Sequence, residues 1–221
     1  MSIVTVERKV LAKNDEIAAQ NRSLLARHGT FAVNLVSSPG SGKTSIVERT
    51  LEFLKGKVHV AVIEGDVQTD LDAQRVAKFG VPVVQIVTNG ACHLEAKLVQ
   101  DALERLTLDG VQLLFIENVG NLVCPSAYDL GEAMKVVVVS TTEGDDKPLK
   151  YPAMFRAASA LIINKIDLLP YLPCNVETLK RNALSINPAL NVFLTSCTSG
   201  AGITSWGEWL LHHTLRQGSQ V

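Results

Sequence analysis

Aromatic residues are scarce in this chain, 5% of 221 residues, so its core has to be closed by aliphatic side chains. An excess of either charge is also missing. Twenty-one Lys and Arg against twenty-two Asp and Glu leave a formal net charge of −1. That balance removes the electrostatic footprint expected of a nucleic-acid or membrane-surface binder. No apolar run approaches the roughly 18 residues that a membrane span needs. The opening residues, MSIVTVERKV, lack the basic-then-apolar layout of a secretory leader. Together these absences predict a cytoplasmic protein with no nucleic-acid or membrane partner. Cysteine is sparse as well: Cys92, Cys124, Cys174 and Cys197. In a reducing compartment such residues serve metal binding or packing rather than disulfides. There is no repeat and no low-complexity tract.

Aliphatic residues are plentiful, and the apolar fraction of 47% can bury a sizeable core. The length suits one α/β domain, so 1–221 is read as a single domain. A helical spacing of Val6, Val10, Leu11, Ile17, Ala18, Leu24 and Leu25 predicts a leading amphipathic helix over 4–28, stopped at Gly29. Short aliphatic runs predict strands at 31–36, 58–63, 83–87, 111–116, 135–140, 160–163 and 191–195. Helical stretches separate most of them, with a polar loop, TTEGDDKPLK, after the 135–140 strand. Near-continuous aliphatic strands are expected where helices cover both sheet faces. The expected fold is α/β: three layers, a mostly parallel central sheet and helices on both faces, as in P-loop NTPases.

Chemically suggestive residues cluster after the strands, where open α/β sheets bind ligands. The first strand runs into SSPGSGKT (37–44). The Walker A pattern G-x-x-x-x-G-K-[ST] is met at Gly42, Lys43 and Thr44, with Ser37 in place of the first Gly. Gly40 and Gly42 let the backbone wrap closely, and Ser41 and Ser45 complete the phosphate-facing stretch. Lys43 would neutralise the β- and γ-phosphates and the Thr44 hydroxyl would ligate Mg²⁺. A plain Gly-Ser turn is the bland alternative, disfavoured by the strand–loop–helix context. Asn164-Lys165-Ile166-Asp167 fits the guanine motif N-K-x-D. The Asp167 carboxylate can accept from guanine N1–H and the 2-amino group, donors that adenine lacks. Asn164 can support the base edge and its loop, and the Lys165 stem can pack over the ring. A surface helix cap is the bland alternative here.

Mg²⁺ and the attacking water call for acidic residues, and Asp66 and Glu117 each end an apolar run. Gly120 supplies an amide able to sense the γ-phosphate. Asp66 could instead cap the helix that follows. Ser196 and Cys197 lie where a last base-contacting loop is expected. No glutamine or arginine finger is evident, so hydrolysis should be slow without a partner. Cys92, His93 and Cys124 could hold Zn²⁺ or Ni²⁺, although buried cysteine is commonly just a small hydrophobe.

These elements together resemble the HypB family of hydrogenase nickel-incorporation GTPases. The matching stretches are NLVSSPGSGKT (34–44), EGDVQTDLDAQR (64–75), CHLEAKLVQDAL (92–103), LLFIENVGNLVCPSAYDLGE (113–132), STTEGDDKPLKYPAMF (140–155) and NKIDLLPY (164–171). The resemblance implies GTP and GDP as nucleotides, with Mg²⁺, and a slow intrinsic GTPase. It also implies a metal site at Cys92, His93 and Cys124 shared across a nucleotide-dependent homodimer, with Lys147 reaching the neighbouring chain. The implied partners are hydrogenase maturation proteins and the hydrogenase large subunit. Some members carry a Cys-rich N-terminal motif or a His-rich tract. No Cys precedes Cys92 here, so neither a high-affinity N-terminal site nor nickel storage is expected. Cys174 and Cys197 read as structural. Three alternatives remain. The urease accessory GTPase carries a Cys-Pro-His element absent here, a P-loop small-molecule kinase would usually lack N-K-x-D, and a passive metal module would have no use for a P-loop.

Overall fold

The structure is a computed structural model; it describes the backbone over residues 6–218 and side chains over 10–216. Its chain order is α1 (Val6–Arg27), β1 (Phe31–Ser37), α2 (Lys43–Leu54), β2 (Val60–Asp66), α3 (Leu71–Ala77), β3 (Val83–Val87), α4 (Ala96–Leu103) and β4 (Leu113–Glu117). There follow β5 (Met134–Ser140), α5 (Lys147–Lys150), α6 (Pro152–Ala157), β6 (Ala160–Asn164), α7 (Val176–Ile186), β7 (Asn191–Leu194) and α8 (Ile203–Gly218). Positions 4 and 5 of the predicted leading helix lie outside the described residues.

The seven strands form one sheet in the order β3-β2-β4-β1-β5-β6-β7. Every pairing is parallel, so the mostly parallel sheet expected from sequence is parallel throughout the described residues. Strands β1, β4, β5 and β6 are buried at every position, because helices cover both faces. On one face, Val33, Leu35, Val62 and Phe115 pack with Ile46, Val47 and Leu51 of α2 and with Trp206 and Leu210 of α8. On the other, Ala32, Ile63, Leu114 and Ile116 pack with Leu25 of α1 and with Val99 and Leu103 of α4. Phe155 of α6 and Leu179 of α7 continue that second face over β5 and β6.

Several predicted strand boundaries moved by one or two residues, among them the start of the 111–116 strand, which is Leu113, and one moved further. The second strand begins at Val60 rather than Val58 and continues to Asp66, because Glu64 and Asp66 still pair with β3 and Glu64 also with β4. The polar loop after β5 is locally ordered. Ser140 caps a 3-10 turn over 141–143 through a reciprocal capping box with Glu143, and α5 follows after residues 144–146. Parallel strands bring the C-terminal ends of β1, β2, β4 and β6 to one edge, and the site residues collect there.

Candidate nucleotide and metal sites

The loop after β1 turns back onto the sheet through two left-handed residues, Gly40 (φ 75°) and Gly42 (φ 95°). A Cβ on Gly42 would lie 2.5 Å from Asn164 Nδ2, so only glycine fits. Beyond it α2 begins at Lys43 with its amides facing the loop. This stretch, Pro39 to Ser45, lines a cleft of about 540 Å³ together with Asp66, Asp72, Arg75, Glu117, Gly120 and Lys165. Lys43 Nζ sits 3.0 Å from Ser37 Oγ and 3.8 Å from Glu117 Oε1. Ser37, where the pattern has glycine, therefore steadies the lysine.

The guanine-motif residues are tied to this loop. Asn164 Nδ2 donates to Ser41 O at 3.1 Å, and Lys165 Nζ donates to Gly40 O at 2.7 Å. Lys165 adopts φ 63°, the left-handed region. Asp167 is exposed beside them. The Thr195 hydroxyl and the Cys197 thiol both donate to Asn164 Oδ1, at 3.2 and 3.6 Å. Burial pushes the Cys197 thiol up to about 11, so it stays a neutral donor. Its carbonyl accepts from Arg49 Nε at 2.8 Å. Ser196 is fully buried, and its hydroxyl accepts from Ser199 N, so it orders the loop turn.

Glu117 is buried, and its Oε1 accepts from Thr44 Oγ1 at 2.9 Å. Its Oε2 has no partner, and neither has Oε1 of Glu64, which lies directly opposite in the β2–β4 register. Burial pushes both carboxyls above their ordinary range. The Glu117 charge raises Glu64 further, whereas Lys43 and Thr44 hold Glu117 down. Two orphaned carboxylate oxygens and a hydroxyl form a hard all-oxygen donor set that fits Mg²⁺. Asp66 lines the same cleft, but its Oδ1 accepts from Gln68 N at 2.9 Å and Thr69 N at 3.3 Å. Burial alone would raise its pKa; those bonds outweigh it and hold the carboxylate below its usual range. Asp66 therefore orders its own loop; it does not cap the following helix, as its sequence context had allowed, since the N-cap of α3 is Asp70. Arg75 was not singled out from sequence. It is gripped by Glu48 at 2.6 and 3.0 Å and by Asp72 at 3.0 Å, and reaches Ser45 Oγ at 3.3 Å.

The second site lies on the same edge. Cys92 and His93 sit in the loop between β3 and α4, and Cys124 in the loop after β4. Their ligand atoms all fall within 4.8 Å of one another. Cys92 Sγ is 3.2 Å from Cys124 Sγ and 3.6 Å from His93 Nδ1. The Cys92 thiol lies above its ordinary range, chiefly because it donates to Cys124. Burial lowers the His93 pKa against the opposing Glu95, which favours the neutral imidazole that a metal needs. Its Nε2 lies 3.9 Å from Glu95 Oε1, and its ring packs on Tyr128 at 4.1 Å. Soft thiolates with one imidazole suit Ni²⁺ or Zn²⁺. Asn121 Nδ2 donates to Cys92 O at 3.2 Å, joining the two ligand loops at the rim. Lys147 lies 3.7 Å from Glu143 and, with Gly120 and Val123, lines a cavity beyond the P-loop. Cys174 is half-buried and away from this cluster.

Residues 31–194 match the family described as CobW/HypB/UreG, nucleotide-binding domain. The hydrogenase maturation factor HypB of Rhizobium leguminosarum bv. viciae is 52% identical over 208 residues, 94% of this chain and 70% of that protein. The hydrogenase/urease maturation factor HypB of Helicobacter pylori is 42% identical, covering 94% of this chain and 87% of its own length. The crystal structure of the H. pylori protein in complex with nickel superposes with a TM-score of 0.88 at 41% identity, over 92% of this chain and 96% of that one.

Proposed function

Since the chain belongs to the HypB hydrogenase maturation factors, within the CobW/HypB/UreG nucleotide-binding family, we propose that it is a GTP-hydrolysing accessory protein that delivers nickel to a [NiFe]-hydrogenase in the cytoplasm. Nickel is its cargo, and the nucleotide cycle controls the hold on it. The observation that carries this reading is the shared segment Glu117–Cys124. It begins at a cleft carboxylate, passes Gly120 against the P-loop, and ends at a thiol of the metal triad.

Lys43 and the amides of 40–45 hold the β- and γ-phosphates, and Asp167 selects guanine. Thr44, Glu117 and Glu64 would hold Mg²⁺, which would offset charge on the phosphates, and Asp66, while its carboxylate also orders its own loop, would join Glu117 in orienting water. Loss of γ-phosphate contacts releases Gly120 and shifts Cys124 away from Cys92 and His93. Three ligands leave a tetrahedral ion short by one, and a second copy supplies the rest when GTP assembles the dimer. A deletion strain tests the assignment: hydrogenase activity should be lost and regained with excess nickel. Because the H. pylori relative is named for both hydrogenase and urease, urease is assayed in the same strain. Lost urease with intact hydrogenase would replace the assignment.

A further inference from the structure

The two sites share more than a stretch of chain. The side chain of Asn118, 1% exposed, lies on the α1/α4 face of the sheet, between the cleft and the metal triad. Its Oδ1 accepts from Leu94 N at 3.0 Å, the residue after His93, and from Val119 N at 3.0 Å. Its Nδ2 donates to Asn34 Oδ1 at 3.3 Å. Asn34 in turn donates through Nδ2 to Glu132 Oε1 at 3.0 Å. Glu132 lies 3.7 Å from Lys135 Nζ, which donates to Pro125 O at 2.9 Å and Tyr128 O at 3.2 Å. Pro125 follows Cys124, and Tyr128 is the ring under His93. The main chain of Asn118 also belongs to the nucleotide side: its N–H donates to Leu35 O at 2.9 Å, two residues before the P-loop.

We infer that Asn118 is a positioning residue that transmits the state of the nucleotide cleft to the metal triad, through Leu94 to His93 and through Asn34, Glu132 and Lys135 to Cys124. This rests on the reading that metal affinity differs between nucleotide states. All four polar side chains are at least nine-tenths buried. The two ends of the chain satisfy backbone groups, Leu94 N and Val119 N at Asn118 and the carbonyls of Pro125 and Tyr128 at Lys135, and the side-chain bonds Asn118–Asn34–Glu132 join those ends across the sheet. A buried network has few satisfied arrangements, and Asn118 cannot shift with the 117–120 segment without breaking a bond to one ligand loop. That is the property a two-position coupling element needs.

The test is Zn²⁺ and Ni²⁺ affinity of the full chain with GDP and with a non-hydrolysable GTP analogue. The wild-type ratio is expected to fall within about 5–150-fold, the usual span of coupling between sites. In Asn118→Ala the ratio should collapse toward unity, while nucleotide affinity stays within about three-fold and metal still binds in one state. Lys135→Gln, which keeps a donor for one carbonyl, should reduce the ratio in the same direction and guards against a misfolded Asn118 variant. A folded Asn118→Ala or Lys135→Gln that keeps the wild-type ratio overturns the relay alone. A ratio kept there but lost in Asn121→Ala moves the coupling to the exposed rim. A wild-type ratio of one overturns both the relay and the reading beneath it.

Discussion

Glu64 sits uncomfortably beneath the cleft: buried, beside Glu117, with an oxygen that has no partner. Its folded-state pKa lies well above the ordinary value, from burial first and the Glu117 charge second. Such a group contributes stability that is fully present below the unfolded value, about 4.3, and lost as pH rises through the folded one. Glu64→Gln keeps the shape without the titration. The nucleotide-free variant should therefore melt higher than wild type, by a margin that grows with pH, and should need more Mg²⁺ to hold GTP. Melting curves from pH 5 to 8 check the first expectation and Mg²⁺ titrations the second. The Cys92 thiol gives the opposite kind of dependence. Metal has to displace the proton of the Cys92 thiol, which lies above its ordinary range, so affinity should rise from about pH 7 to 9, with the His93 pKa lowered by burial. Cys124→Ala should lose metal affinity while GTP binding is retained; tight metal binding by that variant would place the site elsewhere. Asp167→Asn should weaken GTP about a hundred-fold, two charge-assisted hydrogen bonds being lost, and admit XTP, whose 2-oxo group matches an amide donor. Competition binding among GTP, XTP and ATP decides it.

At the scale of elements, α1 braces the loops of the candidate metal triad. Asn21 Nδ2 donates to Ala96 O at 2.9 Å and Leu130 O at 3.0 Å, and Asn14 joins Ala96 N to Asp129 O. One helix thus pins the start of α4, just after Cys92 and His93, to the loop that carries Cys124. Gly131 makes the close approach possible: at φ 92°, a Cβ would lie 2.6 Å from Asn21 Cβ. Asn21→Ala removes the buried donor to Leu130 O and the second donor to Ala96 O, the first helical carbonyl of α4. It should destabilise the protein by about 1–3 kcal/mol, read by denaturant titration. Metal affinity should fall in every nucleotide state alike, because the bonds of Asn14 and Asn21 go to α4 and to the loop that carries Cys124.

At the scale of the molecule, the proposed cycle joins nucleotide, metal and a second copy. By linkage, a metal held better with GTP must favour the GTP-bound dimer in return. Light scattering should show a doubled mass with a GTP analogue and metal together, and a smaller dimer fraction with GDP. Lys43→Ala should lower hydrolysis by at least about a hundred-fold, since it removes the charge facing the γ-phosphate.

The sequence by itself determined the parallel α/β layering, the P-loop and the N-K-x-D loop, because each is written in contiguous residues: aliphatic runs of strand length, glycines where φ must be positive, a lysine at a helix start. The tertiary structure alone decided which distant groups meet. Glu64 faces Glu117 only because β2 and β4 are neighbours, and nothing near either residue encodes that register. Cys124 approaches Cys92 across 32 positions because β3 and β4 flank β2 and send their loops to one edge. Asn34, Asn118, Glu132 and Lys135 read singly as interruptions of apolar strands and loops. Their bonds to one another span β1, β4 and β5, and only the packed sheet brings them within reach.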